Sequence, residues 1–530
     1  MTTKGHILTL CALTLFGSAS AFAYTEVAAG EITTNTKWTV SGSPYILQGI
    51  VYVKDGAVLD IEPGTIIRGQ PRTDASTFDP GALVITPTGK IQARGTVANP
   101  IVFTTAAQSA GGGIFTDANT DNIADRWIPA NGDSNYLDAD PNGSPLPPKN
   151  TNGVKNANMW GGLVLMGDSF TNNGGEVDVN SPAGIGTEDD GYGIAEGLSG
   201  ANAVYGGVNS EHNAGILKYV SIRHGGAELV SGKELNGLTC YAIGSKSTVS
   251  YIDVYATGDD GMEIFGGTAN FDHINLNYCD DDGLDMDEGF QGTIQFVFIL
   301  QGKGYGDSGM ELDGEDKAEG FPSTPIFPVG DARIYNASVL TNSEDNAGGS
   351  RGVRMRAGFT GLLANSIVKN FASVAAGTGI AVDTITGIET EPSARTQFNL
   401  GYTQLRNNSV HNYTTAYTAH GPGTGSVTIS ATGAVTGTYA SEAIANVYYP
   451  TTLNRTLDTG IPTPNHDSAN GIDPRPSLSA NALAYGTTLS DSYVTSPAVY
   501  TAYKGAFDRT ATTLWTTLWT ALNKRGILKN

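Results

Sequence analysis

Five short runs decide the fold: Gly237-Leu-Thr-Cys-Tyr241, Gly261-Met-Glu-Ile-Phe265, Gly283-Leu-Asp-Met-Asp287, Gly309-Met-Glu-Leu-Asp313 and Gly352-Val-Arg-Met-Arg356. Each begins at a glycine and continues in strict alternation. Successive side chains of a strand point to opposite faces. The first and third positions after each glycine therefore share a face. Leu238, Met262, Leu284, Met310 and Val353 fill one column there, and Cys240, Ile264, Met286, Leu312 and Met355 a second. Both columns are apolar in every run. The reference glycines lie 24, 22, 26 and 43 residues apart. The first three spacings are those of one solenoid coil, and the last fits two coils or one coil with a loop. A single coil cannot bury its apolar face, but stacked coils bury a continuous one.

The same texture extends outward from this centre. Towards the N-terminus, Ile50-Val-Tyr-Val53, Val58-Leu-Asp-Ile61, Thr65-Ile-Ile67, Leu83-Val-Ile85, Ile91 and Ile101-Val-Phe103 read as short strands broken at Gly, Asn or Asp. So do Leu163-Val-Leu-Met166 and the run Leu217–Ile222. The expected class is all-β, a right-handed parallel β-helix over 24–510. Polar insertions near 105–159, 375–400 and 420–475 read as protruding loops rather than domains. Leu514, Trp515, Leu518, Trp519 and Leu522 recur at helical spacing before Gly526. Residues 511–525 are therefore predicted to be an amphipathic helix that caps the solenoid, with a tail to 530.

Residues 1–23 read as a secretory signal. Lys4 precedes an apolar run from Ile7 to Phe16, and Ala21-Phe22-Ala23 supplies the small-x-small cleavage pattern. Cys11 lies inside the apolar run with Leu10 before it, which disfavours a lipoprotein site. No later segment has the 18 consecutive apolar residues of a membrane-spanning helix. The expected location is extracellular, the outer cell surface or the periplasm. The 52 acidic against 30 basic residues (net charge −22) argue against a nucleic-acid partner, which needs basic surface. Beyond the signal only Cys240 and Cys279 remain. They could pair or stay as buried thiols.

Two constellations could carry chemistry. Asp117, Asn119, Asp121 and Asp125 place oxygen ligands at alternating positions, as a loop that wraps a hard cation requires. Gly is missing at its sixth position (Asn122) and Glu at its twelfth (Ile128), which excludes an EF-hand. Asp138, Asp140 and Asn142, followed by Gly143, form a second such loop. Calcium is the expected ion, and an ordinary Asn/Asp turn cluster the bland reading.

The other constellation is the outward face of the five runs. Glu263, Asp285, Asp287, Glu311 and Asp313 fall in the columns that Arg354 and Arg356 continue. The turns entering the strands add Asp259, Asp260, Asp280, Asp281, Asp282 and Asp307. Residues 258–316 hold fifteen acids and one lysine. Strands in a sheet lie about 4.8 Å apart. Carboxylates stacked at that spacing must bind cations or hold protons. A solvated acidic face is the competing reading.

Two resemblances follow. Val53-Lys-Asp-Gly-Ala-Val-Leu-Asp-Ile-Glu-Pro-Gly-Thr65, Asn99-Pro-Ile-Val-Phe-Thr104, Trp160-Gly-Gly162, the run Gly258–Gly267 and the Trp-containing C-terminus resemble a large group of secreted bacterial β-helix proteins. That implies fold and export but no activity. Within 258–356, two Asp-Asp-Gly turns one coil apart and Gly-Val-Arg-Met-Arg356 are similar in order to polygalacturonase-type glycoside hydrolases. This second resemblance implies Asp259 or Asp260, Asp281 and Asp282 as acid and base, with Arg354 and Arg356 holding an acidic sugar. The family's Gly-His-Gly coil is Asp307-Ser308-Gly309 here, and its Lys is Arg356. Two functions stay open at this stage. The first is a calcium-stabilised, non-catalytic β-helix that binds glycans or a cell-surface partner. The second is a hydrolase or lyase acting on acidic polysaccharide through 259–356, with Glu263, Asp285, Asp287, Glu311 and Asp313 lining its substrate.

Overall fold

The computed structural model describes residues 24–71, 80–106, 145–149, 155–172, 191–230, 232–314, 330–342, 351–373, 377–382, 401–419, 454–487 and 494–529. It also describes the strand pieces 114–116, 126–128, 427–430 and 435–437 and a few single positions. The chain is a parallel β-helix. The five glycine-led runs are consecutive strands of one 13-stranded sheet among the described residues. Their register is the one alternation predicts: Leu238 opposes Met262, Met262 opposes Leu284, Leu284 opposes Met310 and Met310 opposes Val353. The Ser308–Asp313 strand pairs directly with Arg351–Arg356, so the 43-residue step is one coil carrying a loop. All the early runs named above are strands too.

The rest of each coil forms two further faces. Gly215–Arg223, Thr248–Tyr255, Asn270–Asn277, Thr293–Leu300 and Ala332–Thr341 each bend at one residue of positive φ: Tyr219, Tyr251, His273, Phe296 and Asn336. The bend is visible in the pairing. Before it, Gly215–Lys218 pairs with Ile91–Arg94; after it, Val220–Ile222 pairs with Ile101–Phe103. In later coils the same corner falls at Asn365 and Asn407, which separate distinct strands. The cross-section is thus a triangle. Its lumen holds one continuous core from Trp38 to Tyr417, which includes both predicted columns. A fully buried Leu or Met contributes about 1.5–3 kcal/mol there.

The glycine at the head of each run has a steric reason. A Cβ on Gly237 would lie 2.8 Å from the carbonyl oxygen of Gly261, and one on Gly261 2.6 Å from that of Gly283. The column continues to Gly309 and Gly352 with approaches of 2.6 and 2.7 Å. Only a residue without a side chain lets neighbouring coils come this close.

Two expectations need adjustment. The C-terminal helix exists but is short, Ala521–Lys524, with turns over 514–519 in place of the predicted helical run. Its tryptophans lie against the flank of the solenoid, with Trp519 edge-on to Tyr219 and the Ala521 N–H donating to Asp253 Oδ2 at 2.8 Å. Within the predicted insertion 375–400, Thr378–Val382 is a strand of the main sheet. Cys240 and Cys279 are both buried free thiols. Residues 1–23 and most of the predicted loops lie outside the described residues. No described helix is long and apolar enough to cross a membrane.

Candidate cation site on the acidic face

The outward columns assemble as the register requires. Glu263 opposes Asp285, Asp285 opposes Glu311, and Glu311 opposes Arg354; beside them Asp313 opposes Arg356. These side chains point away from the lumen, yet Glu263, Glu311 and Asp313 are buried and Asp285 and Asp287 are half-buried. Described segments outside the coils lie beside the ladder: residues from 191–206, 227–230 and 232–235 pack on the earlier strands of this sheet, where Tyr205 packs on Tyr241, which stacks on Phe265 at 4.5 Å. The Tyr205 hydroxyl donates to the buried Glu288 at 2.7 Å, and the Thr171 hydroxyl donates to the same carboxylate at 2.5 Å. The competing reading of a fully solvated face does not describe Glu263, Glu311 and Asp313, which are buried, while Asp281 is exposed and Asp285 and Asp287 keep partial exposure.

The turn carboxylates are bound into the backbone. The Asp260 N–H donates to Asn236 Oδ1 at 3.0 Å, the Asp282 N–H to Asp260 Oδ1 at 2.7 Å, and the Ser308 N–H to Asp282 Oδ1 at 2.5 Å. Each coil's Asx side chain thus accepts an amide from the next coil. This relay explains why the Asp-Asp-Gly turn repeats with the coil period. Asn236 also donates to Glu263 through Nδ2.

The basic residues on this face are already engaged. Arg354 Nη1 lies 2.9 Å from Glu311, and Arg356 pairs with both Glu311 and Asp313, reaching the latter at 2.6 Å through Nε. Arg351 lies 3.2 Å from Asp307, and the buried Lys155 pairs with Asp280. Lys155, Asn236 and Glu288 carry no sequence signal because their partners are one or more coils away. Removing one charge of a buried pair leaves the other uncompensated. Arg356→Gln is therefore expected to cost about 2 kcal/mol after allowance for its partial exposure. Thermal unfolding of the variant checks this, and an unchanged melting temperature would refute it.

Further along the ladder the carboxylates have no such partners. Asp259, Asp260 and Asp281 can each place one oxygen within 4.8 Å of the others; so can Asp260, Glu263 and Asp285, and so can Asp282, Asp285 and Glu311. Among the described residues, none of Asp259, Asp260, Glu263, Asp281, Asp282 and Asp285 forms an ion pair. Burial first, and then the neighbouring carboxylates, push Asp260, Glu263, Asp282 and Asp285 well above the usual carboxylate range. Asp259 rises to about 8 through burial and Asp281, and Asp281 itself is raised through burial and Asp307. Asp313 reaches about 7 because burial outweighs the opposing Arg356. Such a cluster must take up either protons or a cation. The predicted calcium-loop residues Asp117, Asn119, Asp121, Asp125, Asp138, Asp140 and Asn142 all lie outside the described residues.

Residues 30–122 and 148–447 match the model of the pectate-lyase-like β-helix domain. The chain belongs to that family. The match spans the sheet that carries the ladder, and it sets this pectate-lyase-like β-helix among carbohydrate-related proteins. No curated protein and no solved structure matches the chain.

Proposed function

We propose that this pectate-lyase-like β-helix is a secreted or cell-surface protein that holds calcium on its acidic face and through it binds an acidic polysaccharide without cleaving it. The observation that carries the reading is the triad Asp260, Glu263 and Asp285. One oxygen from each lies within 4.8 Å of the others, and none of the three forms an ion pair among the described residues. Calcium takes oxygen ligands at 2.3–2.6 Å, so two ligands across one ion stand at most about 5.2 Å apart, and oxygens within 4.8 Å of one another can share it. With one oxygen from each, the three carboxylates fill three of the 6–8 positions the ion accepts. Carboxylates of the polysaccharide would fill the remaining positions.

Binding is favoured over cleavage by what the hydrolase-like residues already do. Arg354 and Arg356 are spent on Glu311 and Asp313, and Asp260 and Asp282 each commit an oxygen to the next coil's amide. Asp259, raised to about 8 by burial and by Asp281 in the partly exposed pair the two form, favours the alternative, since a neutral carboxyl can act as a general acid.

Calorimetric titration of calcium and magnesium into the protein tests the reading, followed by polygalacturonate and alginate with calcium or with chelator. Saturable calcium binding is expected, weakened at least about tenfold in Glu263→Gln, with polysaccharide retained only when calcium is present. An absence of calcium binding, or polysaccharide binding that ignores chelator, would sink the proposal. Release of shortened chains would establish the enzymatic alternative instead.

A further inference from the structure

The corner of the triangle carries a second feature, on faces of the solenoid other than the acidic one. Four successive corner residues are ring-bearing: Tyr219, Tyr251, His273 and Phe296, all at φ between 50 and 59°. Left-handed backbone is unfavourable for such side chains. Glycine or asparagine would suit the corner better, as Asn336, Asn365 and Asn407 do in later coils. The rings form one column, with centroids 4.3 Å apart for Tyr219 and Tyr251, 4.2 Å for Tyr251 and His273, and 4.8 Å for His273 and Phe296.

The C-terminal segment covers most of this column. Trp519 stands edge-on to Tyr219 and Tyr251, and Trp515 edge-on to Tyr251 and to His273 at 5.2 Å. Among the described residues no tryptophan covers Phe296. A cavity of about 310 Å³ occupies that place, bounded by Phe296, His273, Asp272, Asn270 and the Pro497–Val499 segment. The far wall is anchored: Gln295 and the Val499 backbone exchange two hydrogen bonds of 2.7 and 2.8 Å. The polar rim is fixed too. His273 Nδ1 and Asp272 Oδ1 lie 2.6 Å apart, and half of the Asp272 side chain is open to solvent.

We infer that this cavity is a binding site for one neutral pyranose unit of a glycan. Ligand pockets begin near this volume. A pyranose ring offers C–H bonds on its face and hydroxyls on its edge. The face suits the uncovered ring of Phe296, and the hydroxyls suit the Asp272 carboxylate and the His273 imidazole. The Asp272 charge disfavours an acidic sugar, so this site and the acidic face select different chemistry. It contains none of the carboxylate triads and needs no cation.

The test titrates the full chain with cellotetraose, mannotetraose and galactotetraose in EDTA, following tryptophan fluorescence and ligand-detected NMR. Trp515 touches His273 and reports on occupancy. Saturable binding of at least one tetrasaccharide is expected. Phe296→Leu, which keeps the volume but removes the ring, and Asp272→Ala should each weaken it by about tenfold or more. Thermal melting establishes that both variants remain folded; any variant that does not is replaced by Phe296→Met or Asp272→Asn. No saturation with any of the three sugars up to about 10 mM, binding of choline in their place, or full affinity in either folded variant overturns the inference. Chelator-resistant binding that survives loss of the calcium effect separates this site from the acidic face.

Discussion

Between pH 4 and pH 8, in chelator, the protein is expected to lose stability as the pH rises. A carboxyl whose folded pKa exceeds its unfolded value binds a proton more tightly when folded. Its stabilising contribution is complete below the unfolded value near 4 and disappears as pH climbs through the folded value. Asp313 at about 7 and Asp259 at about 8 set the upper edge of the window, and Asp260, Glu263, Asp282 and Asp285 shift in the same direction. One pKa unit corresponds to about 1.4 kcal/mol, so several carboxyls shifted together amount to a large part of a typical stability of about 5–15 kcal/mol.

Some groups oppose the trend. His224, lowered to about 3 by burial, and His212, lowered by burial, favour higher pH up to their unfolded values near 6.5. Lys504, lowered to about 7 by burial, does the same above pH 7. Melting temperature against pH, measured for the parent protein and for Asp259→Asn, separates the contributions: the variant should flatten the upper part of the decline. Millimolar calcium should restore stability at pH 8 and add little at pH 4, where protons already neutralise the ladder. A profile that is level or rises across the window in chelator would contradict the assignment of crowded, unpartnered carboxylates.

Gly283→Ala is expected to destabilise the fold by about 3 kcal/mol or more, at the upper end of overpacking costs. The new methyl would stand 2.6 Å from the Gly309 carbonyl oxygen and 2.7 Å from Ile299. The oxygen belongs to the backbone of the next coil, so relief requires the coils to separate. Gly56→Ala supplies the contrast. Its φ is +82° but nothing lies within 4 Å of the added carbon, so it bears torsional strain alone, about 1 kcal/mol. Chemical denaturation of both variants distinguishes the two mechanisms. Equal costs would mean that coil spacing is softer than the steric contacts imply.

Much of the fold was legible because a solenoid repeats its constraints. Leu284 and Met286 point inward for the same reason as Met262 and Ile264, and each coil confirms the last. The outward carboxylates were legible for the same reason, down to the columns that bring Arg354 and Arg356 beside Glu311 and Asp313. Their burial was not. Alternation shows which face a side chain takes but not what lies over that face: Tyr205, Leu229 and Leu235 sit in polar segments without periodicity, yet they pack on the outward side of this sheet with Tyr241 and Phe265. The C-terminal helix misled through its spacing: Leu514, Trp515, Leu518 and Trp519 repeat at helical intervals, but Trp515 and Trp519 are placed by the aromatic corner of the solenoid. The corner itself left little trace, since Tyr, His and Phe are unusual choices for left-handed backbone.

The relay from Asn236 through Asp260 and Asp282 to Ser308 gives every coil in this stretch a plug on one side and a socket on the other. A duplicated coil of 22 residues, such as 261–282, would bring its own socket and so fit in line without redesign. It would also bring another carboxylate to the ladder. In a molecule built this way, the number of stacked carboxylates is a matter of length, adjusted by copying coils rather than by refining a site.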